Sequence, residues 1–357
     1  MKKKRKNKEP ALPFADILGQ EDAARSLQSA VRRARVANAY LFRGPEGVGK
    51  AKMALEFAKL LSCEKPTGEP CGRCHPCELI EAGTYPDVHI VGPADGGRII
   101  TVGQVRETNR AVFLYPTLGK WKIFIIRDAD DLRDDAQNMM LKTLEEPPGD
   151  TVIILLAARP HRLFSTIPSR CQALRFRPLP LRHLDKILER IAPDEPKEAR
   201  SFAAAYAAGS AAAALRALAA QGPAVRDHLV ELIAKLRPGA AFPVAADIYE
   251  RVVSAAKEKQ LEDQREAMRF YLDVLARLYR DMIIVAAGVA EVPLFNADRR
   301  ALLEEMAGRT GLSAAARSAG WLLDGRANID RNANIRLALE DSLCRVAQLV
   351  GTSAAAP

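Results

Sequence analysis

Between a short apolar run, Asn38 to Phe42, and a strongly helical one, Ala51 to Leu61, the chain reads Gly44-Pro-Glu-Gly-Val-Gly-Lys50. A loop of the form G-x-x-x-x-G-K, entered from a strand and left by a helix, is a phosphate cradle. Glycines let the backbone fold around phosphate oxygens, and the helix N-terminus attracts anions. On this reading Gly44, Gly47 and Gly49 shape the loop, and Lys50 reaches the outer phosphates. Such a loop belongs to a parallel α/β sheet.

The flanking pattern agrees. Continuous apolar runs at Val88 to Val91, Lys122 to Ile126, Thr151 to Ala157 and Ala173 to Phe176 predict buried strands. Helical stretches at Ala24 to Val36, Val102 to Phe113 and Asp135 to Leu144 alternate with them, the last stopped by Pro147 and Pro148. Alternation of this kind predicts a mainly parallel sheet with helices on both faces. After Pro178 the character changes. No strand is predicted over 179–357, and alanine-rich helices dominate. Breaks fall at Gly222-Pro223 and Pro238-Gly239, and Met268, Leu272, Leu275, Tyr279 and Met282 mark a core-facing stripe.

The loop is intact, but the chemistry around it is not. The residue after the lysine should carry a hydroxyl for Mg²⁺. Here it is Ala51, and a methyl group cannot ligate a hard cation. In working ATPases of this architecture an apolar strand ends in Asp, for the metal, then Glu, to activate water. This chain reads Ile123-Phe-Ile-Ile126-Arg127-Asp128-Ala129-Asp130. In one register Arg127 stands at the metal-side position and repels Mg²⁺. In the other Asp128 is the ligand, and Ala129 replaces the water-activating acid. Either register lacks one of the two groups. Intrinsic ATP hydrolysis and Mg²⁺ binding are not expected, while passive nucleotide binding through Lys50 stays open.

Four of six cysteines crowd into Cys63-x7-Cys71-x2-Cys74-x2-Cys77. Two C-x-x-C steps sharing Cys74 suit tetrahedral, structural Zn²⁺ with no open position for catalysis. Pro66, Gly68, Pro70, Gly72 and Pro76 leave little else to order this insert. His75, between ligands, is either a bystander or a stand-in for one of them. Cys344 is far away and is read as core.

The net charge is +9, but six charges sit in Lys2, Lys3, Lys4, Arg5, Lys6 and Lys8, which leaves +3 for the rest. The tail is either a solvated arm or a loose electrostatic contact to nucleic acid. No apolar run approaches the ~18 residues that cross a bilayer. No apolar segment follows the basic start as a signal peptide requires, so a cytoplasmic protein without a membrane partner is expected.

The broken site shares the chain with Leu141-Lys-Thr-Leu-Glu-Glu-Pro-Pro148, Ser169-Arg170-Cys171, Ile17-Leu-Gly-Gln20, Asn38-Ala-Tyr-Leu-Phe42 and Asn332-Ala-Asn-Ile-Arg-Leu-Ala-Leu-Glu340. Together these resemble the bacterial clamp-loader branch of the AAA+ ATPases, which serves DNA polymerase III, over nearly the whole chain beyond the tail. That family has motor subunits (gamma or tau) with an intact site, and a subunit that has lost its own site but keeps the Ser-Arg-Cys arginine. The chain looks like the second. The resemblance implies two further losses: Ala157-Ala158 where a phosphate-sensing Thr stands, and Ala212 in Gly209-Ser210-Ala211-Ala212 where the lid carries an arginine.

The resemblance also implies a domain organisation. Residues 1–13 are a disordered basic tail. Residues 14–178 form an AAA+ α/β domain with a zinc module at 63–77. Residues 179–221 form a helical lid, 222–350 an all-α collar that holds a ring together, and 351–357 a frayed end. The ring contains delta and motor subunits, opens the sliding clamp and places it on primed DNA. On spacing alone Arg170 is a surface arginine in a turn. By the resemblance it is an arginine finger, catalytic in trans in a neighbour's ATP site, with Ser169 orienting its loop and Cys171 packed in the core. Two rival functions would behave differently. A working gamma/tau-type ATPase turns over ATP alone, and a zinc-dependent DNA-binding protein loses sequence-specific binding on chelation. The mildly basic body and the lack of a basic recognition helix argue against the latter.

Overall fold

The computed structural model describes residues 14, 17–93, 99–258 and 263–353. The basic tail of residues 1–13 and residues 354–357 lie outside them. Two compact units follow one another, residues 1–183 and 184–357.

In the first unit, α1 (Glu21–Arg32) leads to β1 (Ala39–Arg43), α2 (Lys50–Ser62), α3 (His75–Ala82), β2 (Val88–Val91), α4 (Val102–Val112), β3 (Lys122–Ile126), α5 (Asp134–Glu145), β4 (Thr151–Ala157) and β5 (Gln172–Arg175). The strands form one parallel sheet in the order β2-β3-β4-β1-β5. Every residue of β3 and β4 is buried, which is why both read as unbroken apolar runs. Side chains alternate between two cores. Tyr40, Phe42, Ile123, Ile125, Val152 and Ile154 pack with α1 and α2. Leu41, Phe124, Ile126, Ile153 and Leu155 pack with α4 and α5. β1 lies between β4 and β5, so the loop after it opens at the carboxyl edge, where parallel sheets bind ligands.

The second unit is helical throughout its described residues. α6 (Leu181–Ile191) begins in the first unit and continues in the second. After it come α7 (Lys197–Tyr206), α8 (Ala211–Ala219), α9 (Gly222–Ala234), α10 (Ala241–Lys257), α11 (Gln264–Ala286), α12 (Arg300–Thr310), α13 (Leu312–Asp330) and α14 (Ile335–Ser353). Gly222-Pro223 opens α9, where proline's missing N–H costs nothing. The stripe on α11 is core: Met268, Leu272, Leu275, Tyr279 and Met282 are all buried. Arg277 lies over the rings of Tyr206 and Phe295, 4.3 and 4.4 Å from their centroids. Asp273 accepts from the Tyr206 hydroxyl and pairs with Arg326. These contacts join α7 to α11 and α13. Asn334 caps α14, its Oδ1 accepting from the N–H groups of Arg336 and Leu337.

One buried acid fixes the long turn into β3. Asp87 has no exposed surface, and its carboxylate accepts N–H bonds from Thr117, Leu118 and Gly119 at 2.6, 2.8 and 3.0 Å. Burial alone would raise this carboxyl, but the three N–H donors outweigh it and hold it below its ordinary value. The group therefore stabilises the fold above the unfolded-state value of about 3.9, and that contribution disappears as pH falls through the lower, folded-state value. Asp87→Ala strands three N–H groups and is expected to cost the first unit about 3 kcal/mol. Urea unfolding of both proteins checks this: the gap should be full near pH 7 and shrink in acid.

Candidate functional site

β1 delivers Gly44 at the point of closest packing. A Cβ there would run into the carbonyl oxygen of Phe176, so only glycine fits. Gly47 and Gly49 have φ of +73° and +99°, and α2 starts at Lys50. Gly44, Gly47, Gly49 and Lys50 thus share one tight loop between β1 and α2. Lys50 Nζ donates to the carbonyls of Gly44 and Pro45, both at 2.6 Å. Burial lowers the lysine's pKa, opposed by the charges of Asp130, Glu46 and Asp128. Gln20 is 3% exposed and ties the cradle to the chain beyond β5. Its Nε2 donates to the carbonyls of Val48 and Arg177, and its Oε1 accepts from the Arg177 N–H. Ala51 is exposed at the head of α2 and offers no ligand atom.

The acidic segment follows β3 directly. Arg127 continues the ladder through its N–H to Val91, and its guanidinium lies beside Gly92, beyond β2. The next residue, Asp128, takes φ +51°, which turns the chain sharply. The acids whose charge reaches Lys50 are then Asp130, Glu46 and Asp128.

An acid–arginine cluster beside the cradle escaped the sequence reading. Asp130 is 3% exposed and already fully bonded. It accepts from the Ala158 N–H at 2.9 Å, the Arg159 N–H at 3.2 Å and Arg159 Nε at 2.9 Å. Burial raises the Asp130 carboxyl, but Arg159 and the Ala158 N–H outweigh it and hold it low. Asp131 in turn takes Arg159 Nη2 at 2.9 Å and Arg162 Nη1 at 2.8 Å. Two arginines thus pair with two neighbouring acids at the carboxyl edge of the sheet. The only signal in the sequence was the excess of Asp after β3 and of Arg after β4.

The loop leaving β4 ends at Arg170. Gln137 on α5 anchors its middle, donating from Nε2 to the Arg162 carbonyl and accepting from the Phe164 N–H. Leu163 and Ile167 are buried. The Ser169 hydroxyl donates to the Thr166 carbonyl at 2.9 Å, an orienting role inside the turn. Arg170 Nη1 donates to the same carbonyl, and Nη2 pairs with Glu145 at 2.6 Å. The Arg170 side chain is 34% exposed. Cys171 packs against the α4–α5 core, and burial pushes its thiol up to about 12.

Away from the cradle, the Sγ atoms of Cys63, Cys71, Cys74 and Cys77 all lie within 4.8 Å of one another. A tetrahedral Zn²⁺ with Zn–S bonds of about 2.3 Å sets sulfurs about 3.8 Å apart. The Cys63–Cys74 separation of 3.9 Å fits. Cys63 ends α2, Cys74 caps α3 and Cys77 lies in its first turn, so the four thiols join two helices through an insert with no other core. The Arg73 N–H holds the Cys71 thiol down at about 6. Burial pushes Cys63 and Cys77 up, and a metal's charge would counter that rise. His75 is exposed at the head of α3 and is not among the four. Behind the cluster, buried Lys59 on α2 bonds Glu56 at 2.6 Å and also Glu81 on α3.

A family model described as DNA polymerase III, delta subunit, matches residues 19–180. A second, described as its C-terminal part, matches 251–348. The chain is 32% identical over 325 residues to DNA polymerase III subunit delta' of Pseudomonas aeruginosa, covering 89% of this chain and 94% of that protein. It is 38% identical over 164 residues to the Bacillus subtilis protein of the same name, covering 46% of this chain and 49% of that one. With DNA polymerase III subunit gamma/tau of Mycobacterium tuberculosis it shares 28% identity over 363 residues, covering 92% of this chain and 59% of the relative. Among the described residues no helix is long and apolar enough to cross a membrane.

The thiol cluster makes a direct prediction. The purified chain is expected to carry a single zinc ion, measured by elemental analysis. Chelation or Cys77→Ser should release it and lower the melting temperature of the first unit. A chain that holds no zinc, or melts identically without it, would refute the assignment.

Proposed function

The chain belongs to the DNA polymerase III delta-prime family, and on that footing we propose that it is the non-hydrolysing subunit of the clamp loader. In this role it works in the cytoplasm, in a ring with gamma/tau motor subunits and delta. The ring opens the sliding clamp and sets it on primed DNA. This chain is a rigid member of the ring and lends Arg170 to a neighbour's ATP site.

The observation that carries the reading is a contrast within one edge of the sheet. Asp130, the buried acid whose charge acts most on the cradle's lysine, is saturated by Arg159 and the Ala158 N–H, while Arg170 stays a third exposed on a braced loop. The cradle keeps its shape without a hydroxyl at Ala51 to hold Mg²⁺. Lys50 is satisfied by the loop's own carbonyls. What is left is a guanidinium, always charged and planar, suited to phosphoryl oxygens. In trans it stabilises charge as the terminal phosphoryl leaves. Zinc in this picture is structural, ordering the 63–77 insert.

The motor reading and this one part at a simple assay. The purified chain with Mg²⁺ and ATP is expected to show no turnover. A ring rebuilt with motor and delta subunits should hydrolyse ATP when DNA and clamp are added. Arg170→Ala should slow the served site about 10³-fold or more, seen as lost stimulated turnover with assembly intact. Unchanged turnover would make the arginine structural and leave assembly as the chain's contribution.

A further inference from the structure

Glu145 is the last residue of α5. Its Oε1 lies 2.6 Å from Arg170 Nη2, with the two side chains 48% and 34% exposed. The two residues are far apart in the chain, and the contact exists because α5 and the loop after β4 run to the same place. α5 braces that loop along its whole course. Asp130 and Asp131, just before the helix, hold Arg159 and Arg162. Gln137, 2% exposed, grips the backbone at Arg162 and Phe164. About 12 Å further along the helix axis, Glu145 meets the guanidinium itself.

A guanidinium has five N–H donors. Three acceptors face this one: the Thr166 carbonyl and the Ser169 hydroxyl on Nη1, and Glu145 on Nη2. Two N–H groups are left over, enough for a bidentate grip on a phosphoryl group. A free arginine side chain samples many rotamers, and fixing it at the moment of reaction costs entropy. One held in advance has met that cost, which is how a preorganised charge accelerates a reaction.

We propose that Glu145 is a positioning residue that presets the Arg170 guanidinium for the neighbouring subunit's nucleotide. The inference rests on the reading of Arg170 as a finger. It extends the machinery to a carboxylate that touches no substrate and acts only through the arginine. Because the pair is half exposed, salt screens its effect.

The test uses full rings rebuilt with motor and delta subunits, carrying wild-type chain, Glu145→Gln, Glu145→Asp, Arg170→Ala or the Glu145→Gln/Arg170→Ala double variant. Assembly is checked by gel filtration. Loss of a half-exposed ion pair is expected to lower stimulated kcat about three- to fivefold in Glu145→Gln, with KM for ATP unchanged. Glu145→Asp should recover part of the loss, and the deficit should narrow as salt rises. The double variant should match Arg170→Ala alone, because Glu145 acts through the arginine. A general packing defect would instead add to the Arg170→Ala loss and ignore salt. If Arg170→Ala slows the ring while Glu145→Gln runs at or above the wild-type rate, Glu145 does not position the arginine. If Arg170→Ala itself leaves turnover intact, the finger reading fails first and this one falls with it.

Discussion

A carboxylate with 3% exposure cannot be left without donors, since burying an unpaired charge costs several kcal/mol. Asp130 settles that demand with the Ala158 N–H and with Arg159, and much of the sheet's carboxyl edge follows from it. The bond ties the end of β3 to the end of β4. It starts the loop after β4 in a fixed direction, and Asp131 and Gln137 keep it there. It also leaves the Asp130 carboxylate with three donors and almost no exposed surface. One interaction therefore satisfies a buried charge and stiffens the loop.

The same economy recurs where charge is buried elsewhere. Lys59 is 1% exposed and lies between Glu56 and Glu81, so α2 and α3 are joined by an ion triad as well as by the four thiols. Removing Lys59 would leave the buried Glu56 without its cation. In the second unit Asp281 has no exposed surface and takes the Phe295 and Asn296 N–H groups, closing the turn between α11 and α12 much as Asp87 closes the turn before β3. Buried acids that gather backbone N–H groups are this chain's recurrent way of fixing long connections.

Much of this was legible in the sequence where the signal is local. The apolar runs became the parallel strands because burial on both faces leaves no room for polar alternation. The stripe from Met268 to Met282 became core, and Cys63, Cys71, Cys74 and Cys77 converge as their spacing required. What was illegible depends on backbone turns or on distant partners. Counting along β3 left two registers open, with Arg127 or Asp128 at the metal side. Counting could show neither the left-handed turn at Asp128 nor the place of the Arg127 guanidinium beside Gly92. Asp130 with Arg159 and Glu145 with Arg170 are pairs of residues far apart in the chain. No periodicity announces them, because each is created by two segments meeting at the sheet's edge.

Gly44 separates what the fold demands of the loop from what a ligand would demand. Its backbone sits so close to Phe176 that any side chain would collide with the carbonyl there, and Gln20 locks the neighbouring Val48 to the chain beyond β5. The cradle's curvature is thus enforced by the protein's own packing and does not wait for a phosphate. Selection for folding alone would preserve this glycine whether or not a nucleotide binds. In chains of this design, a surviving glycine signature records ancestry and architecture, and occupancy has to be read from the side chains around it.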